Sequence, residues 1–112
     1  MARYVPEAGD IVWLEFDPLA CHEQKGRRPA LVLSPAAYNV KAGLMVCCPL
    51  STQIKAYPFE VLTQIDGKDG VVLSDQVKSL DWRMRKAKKK GCVSEAVMRE
   101  TRAKIKALVA IE

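Results

Sequence analysis

The sequence is that of a small basic protein, with 112 residues and a formal net charge of +5. Its 49% hydrophobic and 28% charged residues are typical of a globular protein that can bury a core. No apolar run approaches the roughly 20 residues that cross a bilayer, and residues 1–7 lack the apolar segment of a signal peptide. The sequence therefore argues against a membrane protein. It predicts a cytoplasmic protein with one domain over residues 1–112.

The cysteine and histidine content argues against a metal site. The four cysteines, Cys21, Cys47, Cys48 and Cys92, include no C-x-x-C pair, and the chain has a single histidine. Adjacent residues of a strand point to opposite faces, so Cys47 and Cys48 are poorly placed to share a metal. We therefore expect no metal and no cofactor, and we interpret the buried cysteines as small hydrophobic residues.

A long polar loop lies between the first two predicted strands. Residues 10–16 have few polar positions, which favours a strand covered on both faces, and residues 29–34 form the second strand. The loop carries a run of polar side chains: His22, Glu23, Gln24, Lys25, Arg27 and Arg28. Pro29 lacks an N–H and biases Arg28 toward extended geometry, so we expect a fixed guanidinium suited to a phosphate. A solvated hairpin loop is the alternative.

Short elements with clear turn signals follow. Residues 35–40 predict a helical turn, with Asn39 and Gly43 as breakers. Residues 44–50 predict an apolar strand, and a second polar loop covers residues 51–56. The remaining predicted elements are a strand over residues 57–62, a turn over 66–70, a strand over 71–80 that bends near Asp75, and a short strand over 91–93.

The C-terminal part predicts an amphipathic helix. Ser94 is a good N-cap residue, and Glu95 suits the positive end of the helix dipole. The residues that recur at helical spacing and should face the core are Val97, Met98, Thr101, Ile105, Leu108 and Val109. Several short strands and one closing helix predict a mainly β protein, built as a small curled sheet or barrel on which the helix packs.

Positive charge is concentrated near the C-terminus. Residues 1–81 hold 8 basic and 10 acidic side chains, whereas residues 82–112 hold 10 basic and 3 acidic ones. The densest run consists of Arg83, Arg85, Lys86, Lys88, Lys89 and Lys90. Such a run indicates a polyanion or an acidic protein segment as partner. A solvated face is the alternative.

The sequence lacks several familiar catalytic motifs, among them the P-loop, the dinucleotide-binding glycine motif, the nucleophile elbow and H-E-x-x-H. We expect the two polar loops and the pair Asp75-Gln76 to converge at one barrel mouth. Such a set offers cations for a phosphate, hydroxyl groups, and donors and acceptors for base edges. It suits a metal-free reaction on RNA in which the substrate 2′-OH attacks and an arginine stabilises the phosphorane.

Several motifs along the chain form one pattern. They are Gly9-Asp10-Ile11-Val12-Trp13, Asp17-Pro18, Glu23-Gln24-x-Gly26-x-Arg28-Pro29, Ser51-Thr52-Gln53, Tyr57-Pro58-Phe59-Glu60-Val61 and Asp75-Gln76-Val77-Lys78-Ser79-Leu80-Asp81-Trp82-Arg83. This pattern resembles the MazF/PemK family of toxin ribonucleases, closest to its MazF branch, over roughly residues 3 to 109.

The resemblance implies a compact SH3-like β-barrel, as in the MazF, PemK and CcdB toxins, and a homodimer with active grooves at its interface. It implies a toxin of a type II toxin–antitoxin system. Such a toxin is a metal-independent and ribosome-independent endoribonuclease. It would cut single-stranded RNA and mRNA at a short, ACA-like sequence and so inhibit translation and growth. A MazE-like antitoxin would neutralise it with a disordered acidic tail that fills the RNA groove.

The resemblance also assigns site residues. Arg28 matches the family's catalytic arginine, and Glu23 matches a glutamate implicated in activity. Ser51 falls where MazF-type toxins usually have a catalytic threonine, so the hydroxyl is kept while the methyl that limits rotamers is lost. The candidate RNA-binding residues are His22, Gln24, Arg27, Thr52, Gln53, Lys55, Asp75 and Gln76.

Some assignments stay open. His22 and Asp75 match residues of the PemK branch, whereas Leu73 stands where that branch has a further arginine. His22 could act as a base or hold a base by hydrogen bonding. Trp13 and Trp82 are more often core or dimer-interface residues than platforms for stacked bases. Two other functions also remain, a gyrase-poisoning toxin of the same fold and a non-catalytic RNA-binding barrel.

Overall fold

The computed structural model describes residues 4–15 and 27–110. This part of the chain contains seven strands and two helices. In chain order they are β1 (Asp10–Glu15), β2 (Arg27–Val32), α1 (Ala36–Ala42), β3 (Leu44–Ser51), β4 (Glu60–Ile65), β5 (Lys68–Leu73), β6 (Lys78–Asp81), β7 (Lys88–Cys92) and α2 (Glu95–Val109). Neither helix is long and apolar enough to cross a membrane.

The strands form one antiparallel sheet in the order β4-β5-β3-β2-β1-β7, with β6 paired to β3 outside this path. Strand β3 is the centre of this arrangement because it changes partner along its length. Its first half pairs with β6, from Leu44 to Cys47, and its last two residues, Leu50 and Ser51, pair with β5. The sheet therefore curls around β3 into a half-barrel, and the prediction of a mainly β, curled architecture is confirmed.

Two hydrophobic clusters pack on opposite sides of the central strands. One contains Ile11 and Cys48 and is covered by Met98 of α2. The other contains Val12 and Cys47. Strand β1 is thus covered on both faces, as its few polar positions predicted. Burial raises the pKa of the Cys47 thiol to about 11 and that of Cys48 to about 12. Both thiols are therefore neutral near pH 7, as expected for small core residues.

Helix α2 begins where the sequence predicted. The Ser94 hydroxyl accepts a hydrogen bond from the Val97 N–H at 3.2 Å, which is the N-cap bond. Met98 and Thr101 are buried, whereas Leu108 is 44% exposed and Val109 is 54% exposed. The prediction that these last two residues face the core is wrong, because the last turn does not pack on the sheet.

Asn39 was predicted to break the helical turn, and this is wrong. Asn39 lies inside α1 and is fully buried. Its amide donates to the carbonyl oxygens of Pro6 at 2.7 Å and Ser34 at 3.0 Å, and it accepts from the Ser34 hydroxyl at 2.6 Å. These tertiary hydrogen bonds outweigh the weak helix propensity of asparagine. Gly43 does end the helix, at a φ of 72°.

The predicted boundaries of two strands also change. Residues 57–59 do not belong to β4, because they form a turn closed by the Glu60 N–H and the Tyr57 carbonyl at 3.0 Å. Strand β7 begins at Lys88 rather than at residue 91, so part of the basic run is strand. The turn between β4 and β5 is tighter than the predicted 66–70. Asp66 and Gly67 form it with φ values of 56° and 79°, as two-residue hairpins require.

Candidate functional site

A groove runs across the mouth of the half-barrel and consists of two adjoining depressions that share Ser51 and Gln53. The tyrosine depression has a volume of about 380 Å³, and its other lining residues are Lys55, Tyr57, Glu60, Leu73, Asp75 and Gln76. The arginine depression has a volume of about 530 Å³, and its other lining residues are Trp13, Arg27, Arg28, Pro29, Leu50, Thr52 and Ile65.

Every candidate residue that the structure describes lines this groove. These residues are Arg27, Arg28, Ser51, Thr52, Gln53, Lys55, Asp75 and Gln76. The expected convergence of the second polar loop with Asp75-Gln76 and the two arginines is therefore observed, while the chemical role of each residue stays a prediction. His22, Glu23 and Gln24 lie outside the described residues.

Arg27 and Arg28 are strand residues, not loop residues as predicted. They begin β2, where Arg27 is opposite Glu15 and Arg28 is opposite Leu14 of β1. Both side chains are exposed. Among the described residues neither guanidinium forms an ion pair with a carboxylate. Strand pairing therefore fixes the backbone of both residues, and within the described residues no carboxylate competes with a phosphate for their donors.

Ser51 ends β3 at the junction of the two depressions. Its hydroxyl oxygen accepts a hydrogen bond from the Gln53 N–H at 3.0 Å, so the hydroxyl proton can still be donated to a ligand. Strand β5 passes close by, with Val71 opposite Ser51. The neighbouring Gly70 makes this approach possible, because a Cβ atom there would lie 2.8 Å from the Ser51 carbonyl oxygen.

Glu60 holds the loop that forms one wall of the tyrosine depression, a role that the sequence analysis missed. Its largely buried carboxylate accepts the Lys55 N–H with both oxygens at 3.1 Å and the Tyr57 N–H at 3.3 Å. The ammonium of Lys104, on α2, donates to the Pro58 and Glu60 carbonyls from the other side. The sequence signal was a carboxylate at a core-facing position directly after a polar loop.

Tyr57, which the sequence analysis assigned only to a strand, closes the tyrosine depression by contacting Asp75. Its hydroxyl donates to Oδ2 of Asp75 at 2.7 Å, and this bond raises the pKa of the Tyr57 phenol. The other carboxylate oxygen, Oδ1, is buried and has no hydrogen-bond partner within residues 4–15 and 27–110. A buried acceptor without a partner is costly unless a ligand or water supplies a donor.

The two tryptophans occupy different environments. Trp82 is buried, and its indole N–H donates to the Asn39 carbonyl at 2.9 Å, so its prediction as a core residue is confirmed. Trp13 is only partly buried and lines the arginine depression, where Pro29 is opposite it in β2. It is therefore not a core residue, and its place at the dimer interface stays a prediction.

The groove combines groups that suit a nucleic acid. Two guanidinium groups and a hydroxyl can contact a phosphate, and amide, phenol and carboxylate groups can pair with base edges. In the described part of the chain, no group of three histidine, cysteine, aspartate or glutamate residues could hold a metal ion. The described part of the groove therefore supplies charge stabilisation and hydrogen bonds to a substrate.

Comparisons with known proteins agree with this chemistry. The family described as "PemK-like, MazF-like toxin of type II toxin-antitoxin system" matches residues 7–109. The Endoribonuclease toxin MazF of Escherichia coli (strain K12) is 50% identical over 109 residues, which cover 97% of this chain and 98% of that protein.

Solved structures of MazF from Deinococcus radiodurans have the same fold. One MazE–MazF crystal structure (Form-III) superimposes with a TM-score of 0.88 at 49% identity, covering 97% of this chain and 100% of that one. A crystal structure of MazF (Form-I) gives a TM-score of 0.85 at 52% identity, with the same coverage. The similarity in sequence and in fold thus extends over nearly the whole chain.

Proposed function

Because this chain belongs to the PemK/MazF family of toxins of type II toxin–antitoxin systems, we propose that it cuts single-stranded RNA in the groove described above. The family resemblance read from the motifs and the SH3-like fold that it implied are confirmed. The relatives that match most of the chain are named endoribonucleases, which favours this activity over gyrase poisoning or silent RNA binding.

One observation carries the proposal: two fixed arginines, a serine hydroxyl and a set of base-reading groups line one groove. An RNA strand needs phosphate contacts to be positioned and base contacts to be selected. The arginine depression supplies the first kind of contact, and the tyrosine depression supplies the second. The serine shared by both places the scissile phosphate at their junction.

The proposed reaction uses the nucleophile that the RNA itself carries. The 2′-oxygen bonds to the adjacent phosphorus, and the bond from phosphorus to the 5′-oxygen breaks. The proton of the 2′-OH goes to a base, for which Glu23 and His22 are the candidates, and the departing 5′-oxygen receives a proton. The products are a 2′,3′-cyclic phosphate and a free 5′-OH, and no metal is required.

The protein stabilises the negative charge that develops on the phosphoryl oxygens. Arg28, held by the strand ladder, donates to these oxygens, as preorganised donors do in other phosphoryl and acyl transfers. Ser51 donates its hydroxyl proton to the same group, since its oxygen is already oriented by the Gln53 N–H. Arg27 contacts a neighbouring phosphate and fixes the register of the strand.

The tyrosine depression selects the bases. The Asp75 carboxylate accepts an exocyclic amino proton, and Gln53, Gln76 and Lys55 contact other base edges or sugars. Thr52 donates at the boundary with the arginine depression. A depression of this size holds few nucleotides, so cleavage occurs at a short sequence, with an ACA-like triplet as the family expectation.

We also propose partners and a cellular location for this protein. Solved structures of similar chains are MazE–MazF complexes, which supports a cognate antitoxin for this toxin. The species that binds it is a homodimer, as the family resemblance implies. The antitoxin's acidic, disordered tail competes with RNA for the groove. Residues 1–112 work as one toxin domain in the cytoplasm, where cutting mRNA without the ribosome stops translation and growth.

Incubation of the purified protein with a long single-stranded RNA in excess chelator tests this function. We expect discrete fragments whose mapped 5′ ends share a short sequence. An excess of the antitoxin tail should suppress them. Intact RNA under all conditions, or cleavage that requires an added divalent ion, would contradict the proposal. DNA gyrase assayed in parallel should keep its supercoiling activity.

A further inference from the structure

The dense basic run includes Arg85 and Lys88, which adjoin rows of the groove, and the chemistry above does not use it. We call its residues Arg83, Arg85, Lys86, Lys88, Lys89 and Lys90 the basic strip. We propose that the basic strip is a second RNA-binding surface, which holds phosphates of the same RNA strand outside the sequence that is cut. The proposal rests on the ribonuclease function and concerns how much of the RNA the protein contacts.

Strand register shows that the basic strip continues from the groove. In β1, Trp13 is opposite Pro29 on one side and opposite Lys88 on the other. Directly opposite residues of antiparallel strands project to the same face of the sheet. Since neighbouring strands lie about 4.8 Å apart, Lys88 is about 10 Å from Pro29, which lines the arginine depression.

A second row of the sheet repeats this arrangement. Glu15 is opposite Arg27, a groove residue, and on its other side it exchanges two hydrogen bonds with Arg85. The Glu15 N–H donates to the Arg85 carbonyl at 2.9 Å, and the Arg85 guanidinium donates to the Glu15 carbonyl at 3.1 Å. The basic strip therefore begins one strand away from the groove, at the same end of β1.

Within residues 4–15 and 27–110, part of the charge on the basic strip has no carboxylate partner. Lys89 lies 3.6 Å from Asp10 and Lys90 lies 3.9 Å from Asp66. Among the described residues, no carboxylate pairs with Lys86 or Lys88, and both side chains are exposed. Lysines along an edge strand also prevent pairing with other chains. However, this role does not account for Lys86, which precedes the strand.

The backbone at Lys86 allows a test that removes this charge without straining the fold. This residue adopts a left-handed conformation with a φ of 53°, in the turn that links β6 to β7. Glycine adopts this conformation more readily than a residue with a side chain. Ala56, Asp66 and Ala110 share the conformation, so it is not itself evidence of function, but it makes Lys86→Gly a suitable substitution.

A phosphate backbone is the partner that this surface suits best. A single RNA strand seated in the groove carries one negative charge per nucleotide, and it must leave the groove over a neighbouring surface. Within the basic strip, Lys88 is an exposed cation in the row that adjoins the arginine depression, and Lys86 is an exposed cation in the turn that leads to it. Contacts of the basic strip would add affinity without adding sequence selection, because phosphates are the same in every nucleotide.

The double variant Lys86→Gly/Lys88→Gln tests the proposal without straining the backbone. Glycine suits the left-handed position, so the variant should unfold at the same temperature as the wild type. The matched control, Arg102→Gln/Lys106→Gln, removes the same charge from exposed positions of α2. Cleavage is followed on a minimal oligonucleotide that contains the cut site and on versions extended by roughly eight nucleotides on either side.

We expect the strip variant to raise KM about tenfold for one of the two extended RNAs and to leave kcat unchanged. Its KM for the minimal RNA should not change, and the control variant should behave like the wild type. The slope of the logarithm of the binding constant for the extended RNA against the logarithm of the salt concentration should become less steep by about 1.4. This is the change expected for two lost contacts to single-stranded phosphates.

Three results would overturn the proposal. One is an equal effect on the minimal and extended RNAs, and another is an equal effect of the control variant. The third is unchanged cleavage of every RNA together with weaker binding of an acidic antitoxin peptide, which would assign the basic strip to a protein partner. If the wild-type protein cut none of these RNAs, the ribonuclease function itself would fail, which is a separate outcome.

Discussion

The arginine depression and the tyrosine depression share Ser51 and Gln53, yet different kinds of contact hold them in place. The arginines are fixed by the backbone ladder between β1 and β2, where side-chain identity matters little. The wall of the tyrosine depression is a loop fixed by side chains, above all by Glu60 and by the contact between Tyr57 and Asp75. Substitutions in the arginine depression should therefore remove a reacting group and keep the fold. Substitutions in the tyrosine depression should displace the loop that forms its wall.

The largest effect is expected in the arginine depression. Arg28→Ala should lower kcat by about 100-fold or more, as for the loss of one donor to the transition state. The fold should persist, because the side chain is exposed and the strand ladder does not depend on it. Circular dichroism and single-turnover cleavage measure the two expectations. A folded Arg28→Ala protein that cuts RNA at nearly the wild-type rate would refute the role of this arginine.

Gly70→Ala tests the placement of Ser51, one of the two residues that line both depressions. The added Cβ would lie 2.5 Å from Ile65 and 2.8 Å from the Ser51 carbonyl, so β5 or Ser51 must move. Overpacking of this kind costs about 1–3 kcal/mol, and we expect roughly a tenfold lower kcat, because small displacements of catalytic groups are costly.

Gly67→Ala is the control for Gly70→Ala. No atom lies within 4 Å of the Cβ added there, although its positive φ of 79° makes it destabilising too. The control should lose stability and keep its kcat at a temperature where both variants are folded. If Gly70→Ala keeps its kcat as well, the placement of Ser51 is not critical.

Glu60→Gln tests the loop that walls the tyrosine depression. Both N–H groups, those of Lys55 and Tyr57, contact Oε1, and the Lys55 N–H also contacts Oε2. Glutamine replaces one of these oxygens with an NH₂ group, so a donor then faces the Lys55 N–H and the negative charge is lost. We expect a loss of about 1–3 kcal/mol in the free energy of unfolding and a severalfold higher KM with little change in kcat. Denaturant unfolding and steady-state kinetics separate these effects. A fall in kcat at constant KM would show that Glu60 acts in the chemical step.

The smallest effect is expected for Tyr57→Phe. The hydroxyl is lost while the ring stays near Phe59, 6.0 Å away between centroids. We expect a KM only about twofold to fivefold higher, because one exposed hydrogen bond contributes little. Since the bond to Asp75 raises the pKa of Tyr57, the wild-type phenol stays protonated through neutral pH. The pH–rate profiles of the two proteins should therefore coincide between pH 6 and 9.

The sequence predicted the elements well where local chemistry determines them. Ser94 capped its helix, Gly43 ended one, and the pair Asp66-Gly67 formed a hairpin turn. The prediction was wrong where residues far away in the sequence determine the local structure. Asn39 is helical because its amide is held in part by the carbonyl oxygen of Pro6, 33 residues away, and nothing in the local sequence signals that partner.

The candidate site shows the same division. The motifs named Arg28, Ser51 and Asp75, because their residue types carry the chemistry. They did not show Glu60 and Tyr57 as parts of the groove, because a carboxylate that holds a loop and a phenol that contacts an aspartate are recognised only once β3, β4 and β5 are brought together. Residues that support the site are therefore harder to recognise from the sequence than residues that carry its chemistry.

The most direct test of the central claim places a single 2′-deoxynucleotide immediately before the scissile bond of an otherwise normal RNA substrate. If the substrate 2′-OH is the nucleophile, this RNA binds as well as the unmodified one but is not cut, because the attacking oxygen is absent. The unmodified RNA should yield a 2′,3′-cyclic phosphate and a 5′-OH in excess chelator. Cleavage of the deoxy-substituted RNA at the same bond would contradict the account.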